Sequence, residues 1–321
     1  MVGFFYLKFA LIYNINKLFK RLLTLQISHP LTGSMVALIT PMYENGEVDF
    51  DALEKLVNFH IESGTKAIVS VGTTGESATL NHDEHIKVMK KTIEYSNGRI
   101  PVIAGTGANS TSEAIELTQA AKDINADACL LVTPYYNKPT QEGLYQHYKK
   151  IAENVEIEQI LYNVPGRTGV DMTSNTIARL ADIPNIIGVK DATGDLNVAK
   201  SLIENCPESF ILLSGDDGTA IDFILMGGHG GISVTANVVP KLLSSAYDLA
   251  VRGNSESAKE IDLKISDLHS HLFLESNPIP VKWAMHKMGY CESGIRLPLT
   301  RLSLEVQKII ENDLESQNLL C

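Results

Sequence analysis

The sequence predicts an α/β protein, a (β/α)8 TIM barrel with a carboxy-terminal helical appendage. Eight apolar segments that end in small or polar residues recur along the chain, and segments with helical periodicity separate them. Alternation of strand and helix over eight repeats is typical of this barrel. A doubly wound sheet is the alternative, but the count of eight and the lack of a G-x-G-x-x-G motif after the first strand favour the barrel.

Each predicted strand is a short apolar run, as expected for a parallel sheet that is buried on both faces. The strands cover residues 35–41, 67–72, 101–107, 128–134, 159–165, 186–192, 211–217 and 230–236. The helices between them cover residues 50–63, 82–95, 112–125, 141–154, 174–182, 196–205 and 220–226. In the first helix Leu53, Leu56 and Val57 lie on one stripe, and Asn81 and Thr140 are suitable caps for two later helices.

After residue 236 the strand pattern stops. Helices are predicted at 240–252, 255–273, 280–287 and 302–312. No linker is visible, so we expect a barrel over residues 31–240 and a helical region over residues 241–321 that packs on it.

Residues 1–30 differ from the rest, because they are aromatic and basic and no acidic residue occurs before Glu44. Their apolar run, residues 1–13, contains Lys8 and is shorter than the roughly 20 residues that a membrane span needs. We expect an extension outside the domain, with no assigned role. A basic amphipathic or transit segment is the alternative.

The amino-acid composition argues against several kinds of binding partner and against disulfide and metal sites. The formal net charge of −11 argues against nucleic acid and anionic membranes, because both bind basic surfaces. The four cysteines are far apart and form no CxxC motif, which favours a reduced, cytoplasmic location over a disulfide framework or a zinc site. The histidine pairs His82/His85 and His269/His271 have no carboxylates at metal-ligand spacing, so we predict no metal site.

The strongest chemical candidate is Lys190, at the end of the sixth predicted strand. Barrel enzymes build their sites at the carboxyl ends of the strands. An apolar environment favours the neutral form of a lysine amine, and a neutral amine attacks a carbonyl to form an imine. The alternative is a lysine that reaches solvent from the strand end.

Other strand ends carry matching groups. Tyr162 ends the fifth strand, where a phenol can transfer protons, or can simply pack its ring. Thr73 and Thr74 lie in a glycine-flanked turn that suits a carboxylate or is only a connecting turn. Arg167 suits a second carboxylate, or is a surface arginine. The glycine run 227–231 could hold a phosphate, but it contains no basic residue, so close backbone approach to a small ligand is preferred.

Together these motifs resemble the dihydrodipicolinate synthase family of pyruvate-dependent class I aldolases. The resemblance covers the chain from Leu31 onwards. It differs in Asp191, where glutamate is common, and in Gly166, where serine is common. The matching motifs are Gly72-Thr73-Thr74-Gly75-Glu76, Tyr135-Tyr136, Tyr162-Asn163-Val164-Pro165-x-Arg167-Thr168-Gly169 and Gly188-Val189-Lys190-Asp191-Ala192.

The resemblance implies a mechanism in which Lys190 forms a Schiff base with pyruvate. The resulting enamine attacks L-aspartate 4-semialdehyde, and Arg167 binds the carboxylate of this aldehyde. The family is usually a homotetramer without a cofactor and acts in lysine and diaminopimelate synthesis. Pyruvate is bound by Thr73, Gly215 and the Ile232 region, and the proton relay consists of Tyr162, Thr74 and Tyr136, which crosses into the neighbouring subunit.

The resemblance also implies an allosteric site for L-lysine at the tight dimer interface. Glu113 is a suitable partner for the lysine amine. Tyr135, beside Tyr136, would couple the two sites. The implied residues are Ser77, Ala78, His82, His85, Asn109, Glu113 and Tyr135.

Three alternatives remain open. N-acetylneuraminate lyases and keto-sugar-acid aldolases share the lysine and the tyrosine but lack the arginine of the Arg167 loop. A phosphate-binding barrel enzyme would use the glycine run, and its lack of basic residues counts against this hypothesis. A non-catalytic binding barrel is disfavoured by the presence of Lys190, Tyr162, Tyr136 and Thr74.

Overall fold

The computed structural model describes residues 29–320. The predicted extension lies outside this range except for His29 and Pro30. The chain divides after Pro30, and residues from Leu31 onwards form one compact unit. No helix within residues 29–320 is long and apolar enough to cross a membrane.

Eight parallel strands form a closed barrel in which each strand pairs with its neighbours in sequence and β1 pairs with β8. This confirms the predicted fold class. The strands are shorter than predicted, because several residues at their carboxyl ends belong to loops. They are β1 Gly33–Ala37, β2 Ile68–Ser70, β3 Val102–Gly105, β4 Ala128–Val132, β5 Gln159–Asn163, β6 Ile186–Asp191, β7 Ile211–Ser214 and β8 Gly230–Ser233.

Helices surround the barrel and continue beyond β8. Between the strands lie α1 Phe50–Glu62, α2 His82–Ser96, α3 Thr111–Asp123, α4 Gln141–Asn154, α5 Pro165–Thr168, α6 Ser174–Leu180, α7 Leu196–Asn205 and α8 Ala220–Met226. After β8 follow α9 Pro240–Val251, α10 Ser255–Lys264, α11 Ser266–His271, α12 Ile279–Lys287 and α13 Leu304–Ser316.

The prediction of one helix over residues 255–273 is wrong. The helix breaks at Ile265, whose φ of −115° and ψ of 8° lie outside the helical range. Ile265, at the break, and Leu268, in α11, are both buried in the core, at 1% exposure each. The predicted caps are present, since Asn81 forms a capping box with Glu84 and Thr140 accepts a hydrogen bond from the Gly143 amide.

The barrel interior is filled by apolar side chains such as Met35, Ile103 and Leu213. At the β1–β8 seam, a Cβ on Gly230 would lie 2.2 Å from the Gly33 carbonyl oxygen, so only glycine lets the two strands meet. The glycine run 227–231 therefore approaches protein rather than a small ligand. It lies at the amino end of β8, and a Cβ on Gly228 would lie 2.3 Å from the ring of Phe223.

Two ion pairs join the helical region to the segment after β2, one to the loop and one to the start of α2. Lys282, on α12, forms an ion pair with Glu76, and the two side chains are 4% and 0% exposed. The Arg296 guanidinium donates to both carboxylate oxygens of Glu84, at 2.8 and 2.7 Å. The Lys282–Glu76 pair is desolvated and the Arg296–Glu84 pair is bidentate, so together they hold the helical region against the loop after β2 and the start of α2.

Candidate active site

A cavity of about 160 Å³ opens at the carboxyl ends of the strands. This is the end at which barrel enzymes place their sites, and the volume suits a small molecule. Its wall contains six of the predicted site residues: Thr73, Thr74, Tyr162, Arg167, Lys190 and Gly215. The remaining lining residues are Ala37, Val69, Gly72, Leu130, Val164, Ala192, Asp216, Val234, Phe273 and Asn277.

Lys190 and Tyr162 face each other in this cavity because β5 and β6 pair in register at these two residues. The Lys190 Nζ atom lies 4.3 Å from the centroid of the Tyr162 ring. Both side chains are buried, at 5% and 7% exposure. Within the described residues no carboxylate lies within 4.0 Å of this amine, so no ion pair has to break before it reacts.

Asp191, the next residue on β6, is buried and helps to hold the strand end. Its carboxylate accepts hydrogen bonds from the Thr193 amide at 3.1 Å and from Asn163 Nδ2 at 3.1 Å. Burial raises the pKa of Asp191, and these hydrogen bonds oppose the shift. Successive side chains of a strand point to opposite faces, so Asp191 fixes the strand from behind while Lys190 faces the cavity.

The turn from Gly72 to Gly75 has strained backbone on both sides. Val71 and Glu76 have φ angles of 54° and 57°, which side chains rarely adopt, least of all a β-branched one. A Cβ on Gly75 would lie 2.9 Å from Val71 Cα. Thr74, which is 2% exposed, accepts a hydrogen bond from Asn277 Nδ2 at 2.9 Å. The surrounding protein thus holds the two threonines in a conformation that the turn alone would not keep.

Two predicted site residues lie elsewhere. Tyr136 is 89% exposed, with a φ of 72°, and does not line the cavity of its own chain. Ile232 is 1% exposed, and its side chain packs in the barrel interior with Met35. Val234, two residues later, is the β8-end residue that lines the cavity.

A second cavity of about 330 Å³ adjoins the first. Thr73, Val164 and Arg167 line both. Six of the residues predicted for the allosteric site line the second cavity: Ser77, Ala78, His82, His85, Glu113 and Tyr135. The seventh, Asn109, contacts this group from outside the wall, because its Nδ2 donates to the Tyr135 carbonyl at 3.2 Å.

Burial shifts the pKa values of two side chains that line this second cavity. It lowers the pKa of His85, whose Nε2 lies 2.7 Å from the Gly105 carbonyl oxygen. Burial also raises the pKa of Tyr135, as does the nearby charge of Glu113. The cavity therefore combines a neutral imidazole, a neutral phenol and a carboxylate. Such a set suits a ligand with an amine and other hydrogen-bonding groups.

The sequence-based search missed Phe273, Asn277 and Asp216. Phe273 and Asn277 come from the segment after α11, and no strand-end rule points there. Asp216 is in the loop after β7, one residue beyond Gly215, and only its strand-end position could have indicated it. Within residues 29–320, no group of three or more histidine, cysteine or acidic side chains is arranged to hold a metal ion.

We expect Gly215→Ala to lower kcat by about 100-fold. An added Cβ would lie 2.8 Å from Lys190 Cε and 2.7 Å from the Cβ of Ala192, so the amine must shift. Gly218→Ala is the matched control, because its Cβ would have only one neighbour, at 3.8 Å. Steady-state kinetics of both variants with the substrates proposed below measure the effect, and equal activities would contradict a crowded amine.

The chain matches the Dihydrodipicolinate synthetase family over residues 30–317. It is 66% identical to a 4-hydroxy-tetrahydrodipicolinate synthase of Ruthia magnifica subsp. Calyptogena magnifica, over 92% of this chain and 100% of the relative. It is similar to the chloride-inhibited dihydrodipicolinate synthase from Acinetobacter baumannii complexed with pyruvate, with 57% identity, a TM-score of 0.89 and coverage of 90% and 100%. A lysine-bound enzyme from Cyanidioschyzon merolae has 36% identity, a TM-score of 0.89 and coverage of 91% and 100%. The chain is therefore an aldolase-type lyase that belongs to the dihydrodipicolinate synthetase family.

Proposed function

We propose that this chain condenses pyruvate with L-aspartate 4-semialdehyde, the reaction of a 4-hydroxy-tetrahydrodipicolinate synthase. The observation that supports this proposal most is the buried Lys190 amine, 4.3 Å from the Tyr162 ring centroid in a small cavity. The names of relatives up to 66% identical, and the pyruvate complex of one of them, support the substrate.

The first half of the reaction is imine formation. The Lys190 nitrogen attacks the keto carbon of pyruvate and forms a carbinolamine. Tyr162 transfers protons between this nitrogen and the oxygen, which leaves as water. Loss of a methyl proton from the imine then gives an enamine. Hydroxyl and amide groups of Thr73, together with backbone near Gly215 and Ile232, hold the pyruvate carboxylate.

The second half joins the two substrates. The enamine carbon attacks the aldehyde carbon, and the new alkoxide takes a proton through the relay of Tyr162, Thr74 and Tyr136. Arg167, which lines the cavity mouth, binds the carboxylate of the aldehyde. The amine of the semialdehyde then attacks the imine carbon, closes a ring and releases the Lys190 amine. The bonds balance without a cofactor.

Borohydride reduction in the presence of pyruvate tests this function, because it converts an imine to a stable secondary amine. Peptide mapping is expected to find the adduct on Lys190 and on no other lysine. Turnover is then measured with L-aspartate 4-semialdehyde and, in parallel, with N-acetylneuraminate. A missing adduct, or turnover of only the sugar acid, would reject the proposal.

We propose further that L-lysine inhibits this enzyme through the second cavity. Glu113 binds the ε-amine, and Ser77, Ala78, His82, His85, Asn109 and Tyr135 complete the site. We expect millimolar L-lysine to lower the initial rate, and Glu113→Gln to weaken this inhibition about tenfold or more. Glu116→Gln, on the same helix, is the control. An initial rate that is unchanged at millimolar lysine would remove this proposal.

A homotetramer in the cytoplasm is the proposed state of the enzyme. Tyr136 supports it, because a tyrosine that is 89% exposed at a loop with a φ of 72° is available to a neighbouring subunit's site. Residues 1–30 are proposed to be dispensable. Light scattering and the activity of a chain that starts at Leu31 test these points. A fully active monomer would contradict the first, and an inactive truncated chain the second.

A further inference from the structure

Asn277 is the polar residue that the helical region contributes to the cavity wall. It lies between α11 and α12, is 6% exposed and lines the cavity together with Thr74. Its Nδ2 donates to Thr74 Oγ1 at 2.9 Å. These two residues are 203 positions apart in the chain, so this contact forms only in the folded molecule.

The second polar atom of the Asn277 amide is Oδ1. It is buried and has no hydrogen-bond partner within residues 29–320. An unpaired buried acceptor destabilises the folded state, and an apolar side chain at this position would avoid the cost. Stability therefore does not explain an amide at this position. Its hydrogen bond to Thr74, the one that it makes within residues 29–320, offers an explanation.

We propose that Asn277 is a positioning residue that directs the hydroxyl proton of Thr74. This inference rests on the proposed function. A hydroxyl has one hydrogen and two lone pairs that point in different directions. When Asn277 donates to one lone pair, the hydrogen of Thr74 cannot point at Asn277, and it is directed towards the cavity that holds Tyr162 and Lys190. Asn277 thereby sets the direction in which Thr74 passes a proton.

A second buried contact lies next to the hydrogen bond between Asn277 and Thr74. Lys282, five residues further along the chain, pairs with Glu76, which is two residues after Thr74. Asn277 and Lys282 therefore both hold the carboxyl-terminal side of the turn, but of these two only Asn277 contacts the Thr74 hydroxyl. A variant of Lys282 loosens the turn without removing the donor, which separates general disorder of the turn from loss of proton direction.

Two substitutions at Asn277 test the proposal through kcat and its pH dependence. Asn277→Ala is expected to lower kcat by about 10- to 100-fold, with a much smaller change in the KM of pyruvate. Asn277→Asp is nearly isosteric, but its carboxylate only accepts, so the Thr74 proton turns away from the cavity. Its activity relative to wild type is therefore expected to be low at alkaline pH and to recover as pH falls, because a protonated carboxyl donates again.

A double-variant cycle separates positioning from a structural role. If Asn277 acts through Thr74, adding Asn277→Ala to Thr74→Val lowers kcat by less than about threefold. Equal losses in both backgrounds, or an Asn277→Asp enzyme with wild-type activity at every pH, would overturn the proposal. Borohydride trapping on the wild-type enzyme is run first, since its failure rejects the proposed function, whereas the outcomes above concern Asn277 alone.

Discussion

Lys190→Arg is expected to lower kcat by about a thousandfold or more and to abolish the borohydride adduct with pyruvate. Arginine has a similar length and volume, but its guanidinium does not lose a proton in proteins and so does not form an imine. Lys190 is the only lysine that lines the cavity, and it has no carboxylate partner within 4.0 Å in the described part of the chain. A second lysine is thus not placed to replace it.

Steady-state kinetics and mass spectrometry after borohydride measure this effect. Lys200→Arg is the control, because Lys200 is on the following helix, α7, with 67% of its side chain exposed. Circular dichroism and the melting temperature show whether the Lys190 variant is folded. An active, trappable Lys190→Arg enzyme would place the imine on another residue.

Lys282→Met is expected to lower the free energy of unfolding by about 3–5 kcal/mol. Burial lowers the pKa of Lys282, and the charge and hydrogen bond of Glu76 oppose this shift. Without the ammonium group, the Glu76 carboxylate stays fully buried, and its remaining hydrogen-bond partner among residues 29–320 is the Arg296 amide, at 3.3 Å. An unpaired buried charge is among the costliest defects in a folded protein.

Urea denaturation of Lys282→Met against wild type measures the loss. Adding Glu76→Gln to this variant is expected to recover part of it, because the uncompensated charge is gone while the hydrogen-bond acceptor for Arg296 remains. Lys264→Met is the matched control, since its ion pair with Glu260 is solvent-exposed and such pairs contribute about 0–1 kcal/mol. Equal losses in the two single variants would show that burial does not strengthen the Lys282 pair.

The sequence contains enough information to predict the barrel and the centre of its site. Parallel strands bring their carboxyl ends to one face, so Lys190 and Tyr162 on consecutive strands are expected to meet, and their register confirms it. The order of strands follows from the rule that consecutive βαβ units lie side by side. Helix caps such as Asn81 are local, and short-range patterns therefore find them.

Contacts that span the chain are not visible in such patterns. Asn277 and Lys282 belong to a region without strands, and their partners Thr74 and Glu76 lie more than 200 positions earlier. Nothing in local hydrophobicity distinguishes Asn277 from a polar loop residue. The break at Ile265 is likewise not visible locally, because the apolar helical pattern continues across it. The role proposed for Tyr136 involves a neighbouring subunit, and the patterns of a single chain carry no information about such a contact.

During protein synthesis, Asn277 and Lys282 are translated after all eight strands of the barrel. A nascent chain that has left the ribosome through β8 already holds every strand of the barrel, with Lys190 and Tyr162 among them. The turn with Thr74 is still without the two side chains that hold it, because both are translated later. A chain cut short after its barrel would carry the amine without a fixed hydroxyl beside it. We therefore expect a chain that ends after β8 to lack both the Asn277 hydrogen bond and the Lys282 ion pair, and its Thr74 turn to be less well ordered.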